Sequence, residues 1–189
     1  MRSWEELEKA CYNCLKCKLA PTRTNVVIGS GNRQADIMFI GEGPGEQEDL
    51  QGEAFVGAAG KLLDKMLAAI DLDRSKVYIA NIVKCRPPKN RDPEKDEKDA
   101  CLNYLRYQLL LVKPRIIVCL GRIAAQVVIS PDFKITKEHG LWYEKKGYWI
   151  TATYHPSALL RDESKKRPAY EDLKKLKQKY EEILQGKEE

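Results

Sequence analysis

Hydrophobic and polar positions follow two alternating patterns along the chain. Short apolar runs at residues 36–41, 77–83, 115–121 and 148–154 predict four strands. Apolar residues that recur every three or four positions predict helices from Ser3, over 61–70, from Asp92 to Lys113, over 123–129 and over 170–184. Strands that alternate with helices predict a three-layer α/β/α sandwich with a central, mainly parallel four-stranded sheet, in one domain spanning residues 1–189.

Ligands of such sheets bind beyond the carboxyl ends of the strands, so the loops that follow the four runs mark the expected site. Polar groups converge there, and Asn81 is notable because an amide inside an apolar strand needs a hydrogen-bond partner. It is either a buried structural residue or a reader of a ligand. The other polar groups expected at this edge are Glu42, Glu48, Asp49 and His155.

Several of these features have an ordinary structural alternative. The glycine-rich segment 41–45 lacks both the Walker ending and the dinucleotide-binding spacing, and a turn is its simplest interpretation. Phe55 fits either the core or a stacking surface for a flat ligand. Of the two histidines, His155 follows a predicted central strand, whereas His139 stands in a polar segment and is expected at the surface.

Charge and composition narrow the class of protein. The 189 residues include 33 basic and 28 acidic ones, and this lysine- and glutamate-rich composition is found in proteins from hot environments. Residues 84–115 hold nine basic against five acidic side chains, which fits either a solvated face or a surface for a polyanion. Without a leader-like or membrane-spanning apolar run, we expect a cytoplasmic, soluble protein that does not bind membranes.

Six cysteines in such a protein favour metal binding over disulfides. Cys14, Cys17, Cys85 and Cys101 supply four thiols from three segments, which suits zinc or an iron–sulfur cluster. Cys11 forms an equally good pair with Cys14, so the spacing leaves the ligand set open. Cys119 lies inside an apolar run and is expected in the core.

The combined motifs resemble the family 4 uracil-DNA glycosylases, iron–sulfur enzymes of thermophilic bacteria and archaea. The resemblance extends from the cysteine pair through segments 41–49, 55–57 and 81–88 to segment 155–160. It implies an enzyme of DNA repair that flips uracil out of uracil-containing DNA, single- or double-stranded, and hydrolyses its N-glycosidic bond. It also implies a [4Fe-4S] cluster held by Cys14, Cys17, Cys85 and Cys101, with Cys11 as an extra residue.

The family's uracil pocket falls on a small set of residues here. Asn81 can donate to uracil O4 and accept from N3–H, a pattern that cytosine reverses, and His155 can stabilise the departing base near O2. Better studied glycosylases of the superfamily have an aspartate where this chain has Gly43, so Glu42 is our candidate for positioning the water. Glu48 is expected to form the pocket wall near uracil C5. The full expected pocket is Gly41, Glu42, Gly43, Glu48, Phe55, Asn81 and His155.

Contacts to DNA are expected from basic residues beside the cysteines and from the loop after His155, where a leucine could fill the space left by the flipped base. These residues are Lys84, Arg86, Lys89, Arg91, Leu159 or Leu160, and Arg161. We expect a monomer. Two other functions stay open: a non-catalytic iron–sulfur or zinc module that binds nucleic acid, and a glycosylase for another deaminated base.

Overall fold

The computed structural model describes residues 3–186, and a six-stranded sheet runs through them. Its strands are β1 (Ser30–Gly31), β2 (Ile37–Gly41), β3 (Val77–Asn81), β4 (Ile116–Leu120), β5 (Trp142–Lys145) and β6 (Tyr148–Thr153), in the order β1-β3-β2-β4-β6-β5. The four central strands are parallel, as predicted. The sequence analysis missed β1 and β5, which pair antiparallel at the two edges.

Helices connect the strands and cover the sheet. They are α1 (Trp4–Tyr12), α2 (Glu46–Gln51), α3 (Ala58–Ala68), α4 (Lys95–Val112), α5 (Arg122–Val128), α6 (Ile135–Glu138), α7 (Pro156–Arg161) and α8 (Lys166–Gln185), with 3-10 turns at Pro88–Asn90 and Glu163–Lys165. Ser3 caps α1 as expected, accepting the N–H of Glu6 at 3.2 Å. The predicted start of α4 at Asp92 is wrong, because Glu94 and Glu97 form a reciprocal capping box that begins the helix at Lys95.

The two faces of the sheet have separate cores, because successive residues of a strand point to opposite sides. On one face, Met38 and Cys119 belong to a cluster that includes residues of α1, α4 and α5. On the other, Phe39 and Val118 belong to a cluster that includes residues of α3, α7 and α8. This is the predicted α/β/α sandwich, with Cys119 in the core as expected.

Backbone pairing continues past the carboxyl ends of the strands. The N–H of Ile82 donates to the carbonyl of Gly41 at 2.9 Å, and that of Gly121 donates to the carbonyl of Thr153 at 2.8 Å. Segments that leave neighbouring strands are therefore fixed relative to one another, and they deliver Asn81 and His155 to the same edge of the sheet.

Two expectations concern the whole chain. The domain predicted over 1–189 includes residues 1–2 and 187–189, which lie outside the described part, and its extent stays a prediction. Among the helices of residues 3–186, none is both long and apolar enough to span a bilayer.

Candidate functional site

A cleft of about 540 Å³ opens at the carboxyl ends of the parallel strands. This volume is in the usual range for small-molecule sites. Of the expected pocket residues, Gly41 is the one that does not line the cleft; it lies directly behind the lining. The residues that line it are Glu42, Gly43, Glu48, Phe55, Asn81 and His155.

Asn81, the last residue of β3, is buried in this cleft. Its Oδ1 is buried without a hydrogen-bond partner, the one such side-chain atom in the part of the chain that the structure describes. A Cβ on Gly41 would lie 2.4 Å from this oxygen and 2.7 Å from the Phe55 ring, so only glycine allows the three segments to meet. An unpaired buried acceptor costs about 1–3 kcal/mol, which indicates that a ligand's donor completes it.

Phe55 sits in a strained loop that is held from both sides. Its φ of 55° is unusual for a bulky residue and costs on the order of 1–3 kcal/mol. The carboxylate of Glu48 accepts the N–H groups of Val56 at 2.9 Å and Gly57 at 2.8 Å, and the guanidinium of Arg74 donates to the carbonyl of Phe55. Glu48 therefore fixes the loop that presents the ring to the cleft.

His155 lies beside Phe55 in the cleft lining, with 5.6 Å between ring centroids. Its Nδ1 accepts the backbone N–H of Ser157 at 3.1 Å, so this nitrogen carries no proton and the neutral ring has its proton on Nε2. Burial, with a smaller contribution from Arg161, lowers the pKa of His155 to about 4. The ring is thus a neutral hydrogen-bond donor at physiological pH.

Glu42 follows β2 directly and lies half-buried in the cleft wall. Burial and then the charge of Asp92 raise its pKa to about 7, against the opposing effects of Arg122, Lys98 and Arg161. A carboxylate with this pKa can hold or take a proton near neutral pH. Arg122 and Asp92, joined at 2.6 Å, were missed by the sequence analysis because no local pattern brings α5 beside the segment before α4.

A second cavity lies on the other side of the β3 end. Five cysteines line it, together with apolar and charged residues, and its volume on the measure used for the cleft is about 10 Å³. All five are free thiols: Cys11, Cys14, Cys17, Cys85 and Cys101. Within residues 3–186, no three His, Cys, Asp or Glu side chains stand close enough to hold one metal ion.

Nitrogen donors point at the cysteine sulfurs. The backbone N–H of Lys84 donates to Cys101 Sγ at 3.3 Å, and the Arg23 guanidinium donates to Cys85 Sγ at 3.5 Å. Arg23 also donates to the carbonyl of Cys14 at 2.7 Å, which ties the N-terminal segment to the segment after β3. Such donors suit thiolates that carry an iron–sulfur cluster. Arg23 was not predicted, since nothing in its sequence neighbourhood distinguishes it from a surface arginine.

Two of the expected DNA contacts are wrong. Lys84 is only 2% exposed, and its ammonium donates to the carbonyl of Asn81 at 2.7 Å and to Gln108 Oε1 at 2.6 Å. It therefore cannot reach a phosphate. Leu159 is also 2% exposed because it lies on the inner face of α7, whereas Leu160, half exposed on the outer face, is available to a partner.

The remaining basic residues differ in solvent exposure and in the bonds that they already form within the protein. Arg91 binds the buried Glu97 through both terminal nitrogens, at 2.8 and 2.7 Å, so its charge is already paired. The side chain of Arg86 donates to Asn90 Oδ1 at 2.7 Å, while Lys89 and Arg161 are exposed. Lys89, Leu160 and Arg161 are thus the expected contacts that solvent reaches most freely.

His139 was expected at the surface, and that expectation is wrong. Its Nδ1 lies 2.8 Å from the buried carboxylate of Asp172, which also accepts the hydroxyl of Thr153 at 2.7 Å. The ring packs on Tyr154, with 4.8 Å between centroids. This contact supports the end of β6 from behind, immediately before His155.

Comparisons with known proteins identify the family of this chain. Residues 28–175 match the uracil DNA glycosylase superfamily model. A type-4 uracil-DNA glycosylase of Archaeoglobus fulgidus is 45% identical over 93% of this chain and 92% of its own length. Others from Sulfurisphaera tokodaii and Saccharolobus solfataricus are each 46% identical, covering 94% and 87% of this chain and 85% and 81% of theirs. The chain therefore belongs to the type-4 uracil-DNA glycosylases of the uracil DNA glycosylase superfamily.

Proposed function

We propose that this chain removes uracil from DNA by hydrolysing the N-glycosidic bond of deoxyuridine, leaving an abasic site. The observation that carries this proposal is the unpartnered, buried Oδ1 of Asn81 at the back of the cleft. Uracil has a donor at N3 and an acceptor at O4, which match the two ends of an amide. Cytosine has the opposite pattern and would leave buried groups unpaired, which is the strongest form of discrimination.

The base must leave the DNA stack to enter the cleft. Phe55 supplies a replacement stacking surface, and its loop is rigid because Glu48 and Arg74 bond its backbone. Glu48 lines the same cleft, and we retain the proposal that it forms the wall near uracil C5.

The chemical step transfers the bonding electrons to uracil. As the bond between C1′ and N1 breaks, negative charge develops on N1, O2 and O4, and water forms the new bond to C1′. We propose that the Nε2 proton of His155 stabilises the charge at O2, since a preorganised donor in a secluded site lowers the barrier. Glu42, with its pKa raised to about 7, is proposed to orient the water and accept its proton.

We further propose that the cysteine cavity holds a [4Fe-4S] cluster through Cys14, Cys17, Cys85 and Cys101, with Cys11 as a non-ligating neighbour. The donor set supports this, because free thiols surround one cavity and N–H groups point at two of the sulfurs. A single zinc ion is less well supported, since it needs its sulfurs about 2.3 Å from one point. When bound, the cluster supplies a crosslink between segments that are distant in sequence.

The DNA strand is proposed to cross the cleft mouth. Lys89, Arg86 and Arg161 would contact phosphates, and Leu160 would occupy the space of the flipped base, since it is exposed on the helix that His155 caps. Preference for single or double strands, a monomeric state and a cytoplasmic location stay predictions.

The proposal is tested by incubating the purified protein with oligonucleotides that contain one uracil, followed by alkali. We expect cleavage at uracil and none at cytosine or thymine, together with iron and visible absorbance in the same sample. Oligonucleotides with hypoxanthine or xanthine form the comparison arm. If the uracil strand stays uncut, a non-catalytic module that binds nucleic acid is the better interpretation. If another base is cut preferentially, the chain is a glycosylase for that base.

The ligand set is tested by single substitutions. We expect Cys17→Ala to lose iron and Cys11→Ala to keep it, with Cys119→Ala as a control for removing a buried thiol elsewhere. Iron per protein is the measurement. The reverse result for Cys11 and Cys17 would show that the ligand register begins at Cys11.

A further inference from the structure

Among residues 3–186, Lys84 is the only lysine whose side chain is buried. Its ammonium bonds to two neutral oxygens, the carbonyl of Asn81 and Oε1 of Gln108. Gln108 is itself fixed, because its Nε2 donates to the carbonyl of Ile28 at 2.8 Å and to the hydroxyl of Tyr78 at 3.1 Å. The ammonium is thus well oriented but not neutralised by these partners.

A buried charge costs several kcal/mol unless an opposite charge lies nearby. Among the described residues, Lys84 forms no salt bridge to a carboxylate, and it lines the cysteine cavity together with Cys11, Cys85 and Cys101. As neutral thiols, these cysteines would leave the ammonium uncompensated. A cluster with four thiolate ligands carries net negative charge and would compensate it.

The same lysine also touches both sites. Its backbone N–H donates to Cys101 Sγ, its neighbour in sequence is Cys85, and its ammonium donates to the carbonyl of Asn81. The amide oxygen of Asn81 is the unpartnered atom at the back of the cleft. Lys84 therefore contacts both the cysteine cavity and the residue proposed to read the base.

We propose that Lys84 is a positioning residue that couples the cluster to Asn81: the anionic cluster neutralises the buried ammonium, and the ammonium fixes the end of β3 so that the amide faces the base. This inference rests on the proposed cluster. It assigns the cluster a role in orienting the cleft in addition to joining chain segments. It also replaces the expected contact between Lys84 and DNA with an internal one.

The test compares Lys84→Met with Lys84→Arg and with Lys95→Met. Lys95 is an exposed lysine on the helix that carries Cys101, so its substitution makes the same change in net charge in solvent. We expect Lys84→Met to lose its visible absorbance about tenfold faster in a chelator and to excise uracil about tenfold more slowly in single turnover. Lys84→Arg should retain most of both properties and Lys95→Met all of them.

The salt dependence of DNA binding separates this role from a phosphate contact. Because Lys84 is buried, Lys84→Met should leave the slope of log affinity against log salt unchanged. A reduced slope, or wild-type bleaching and excision rates, would overturn the inference. Absence of iron from the wild-type protein would instead overturn the proposed cluster, so the two failures are distinguishable.

If Lys84→Met does not fold, the variant Gln108→Glu tests the same inference. This nearly isosteric change gives the ammonium a carboxylate partner of its own, so the lysine no longer depends on the cluster. The difference in melting temperature between the iron-loaded and the chelated, reduced protein should then be smaller than in the wild type. An equal or larger difference would count against the coupling.

Discussion

The cleft and the cysteine cavity both lie at the end of β3, but they differ in whether their buried polar groups have hydrogen-bond partners. In the cleft, the amide oxygen of Asn81 is buried without a partner. In the cysteine cavity, N–H groups of Lys84 and Arg23 already point at the sulfurs. The cleft therefore leaves a group for the proposed substrate to satisfy, whereas the cavity supplies donors in advance for the proposed cluster. We expect substitutions in the first to change the reaction and those in the second to change retention of the cofactor.

The largest expected effect is that of His155→Ala. It removes the neutral donor proposed for uracil O2, and single-turnover excision should fall roughly 100- to 1,000-fold, as for other oxyanion-stabilising donors. Affinity for DNA and iron content should be unchanged. A loss below tenfold, or loss of iron, would break the division between the two regions.

Glu42→Gln should follow, with a fall of about a hundredfold at pH 8. Because the carboxylate is the active form and its pKa is raised to about 7, the wild-type rate should rise as pH increases through 7 and then level off. The variant should lack this rise, so the difference between the two proteins should shrink below pH 6. Single-turnover rates from pH 5 to 9 provide the measurement, and the same rise in the variant would exclude Glu42 as its origin.

Arg23→Met tests the cysteine cavity instead of the cleft. It removes a donor to Cys85 Sγ and the bond to the Cys14 carbonyl, so iron should be lost about tenfold faster in a chelator. Excision by freshly loaded protein should change less than threefold. Arg106→Met, at an exposed position on α4, is the matched control. Equal effects of both variants on iron retention would show that Arg23 has no specific role in the cysteine site.

The smallest effect is expected from Lys89→Ala. Loss of one phosphate contact should weaken DNA binding by a few fold and reduce the salt slope by about 1. Base preference should not change, because a phosphate contact carries no sequence information. Binding isotherms at several salt concentrations test this, and an unchanged slope would show that Lys89 is an ordinary surface residue that does not contact a phosphate.

The sequence predicted the parts of the molecule that depend on local pattern. The four central strands followed from apolar runs, and the polar residues at their ends met because parallel strands finish at one edge of the sheet. The edge strands were missed, since β1 has two residues and β5 is partly exposed and lacks an apolar run.

The errors at the site concern which side chains point inward, and the spacing of apolar residues alone does not decide that. Lys84 was placed at the surface although it lies between buried neighbours, Val83 and Cys85, because lysine is rarely buried. Leu159 and Leu160 are adjacent on α7, and only the packing of that helix decides which one points inward. His139 is partly buried because it bonds to Asp172, a partner 33 residues away in sequence.

The short distance in sequence between Asn81 and Cys85 constrains how this protein can change over time. An insertion or deletion of one residue in that interval would shift the buried ammonium and Cys85 relative to the amide proposed to read the base, since Asn81 ends β3 and the other two follow it. Loops elsewhere can lengthen without this penalty. In a genome search, a chain with these two residues at another spacing would be a poor candidate for sharing both sites, however similar the rest of its sequence.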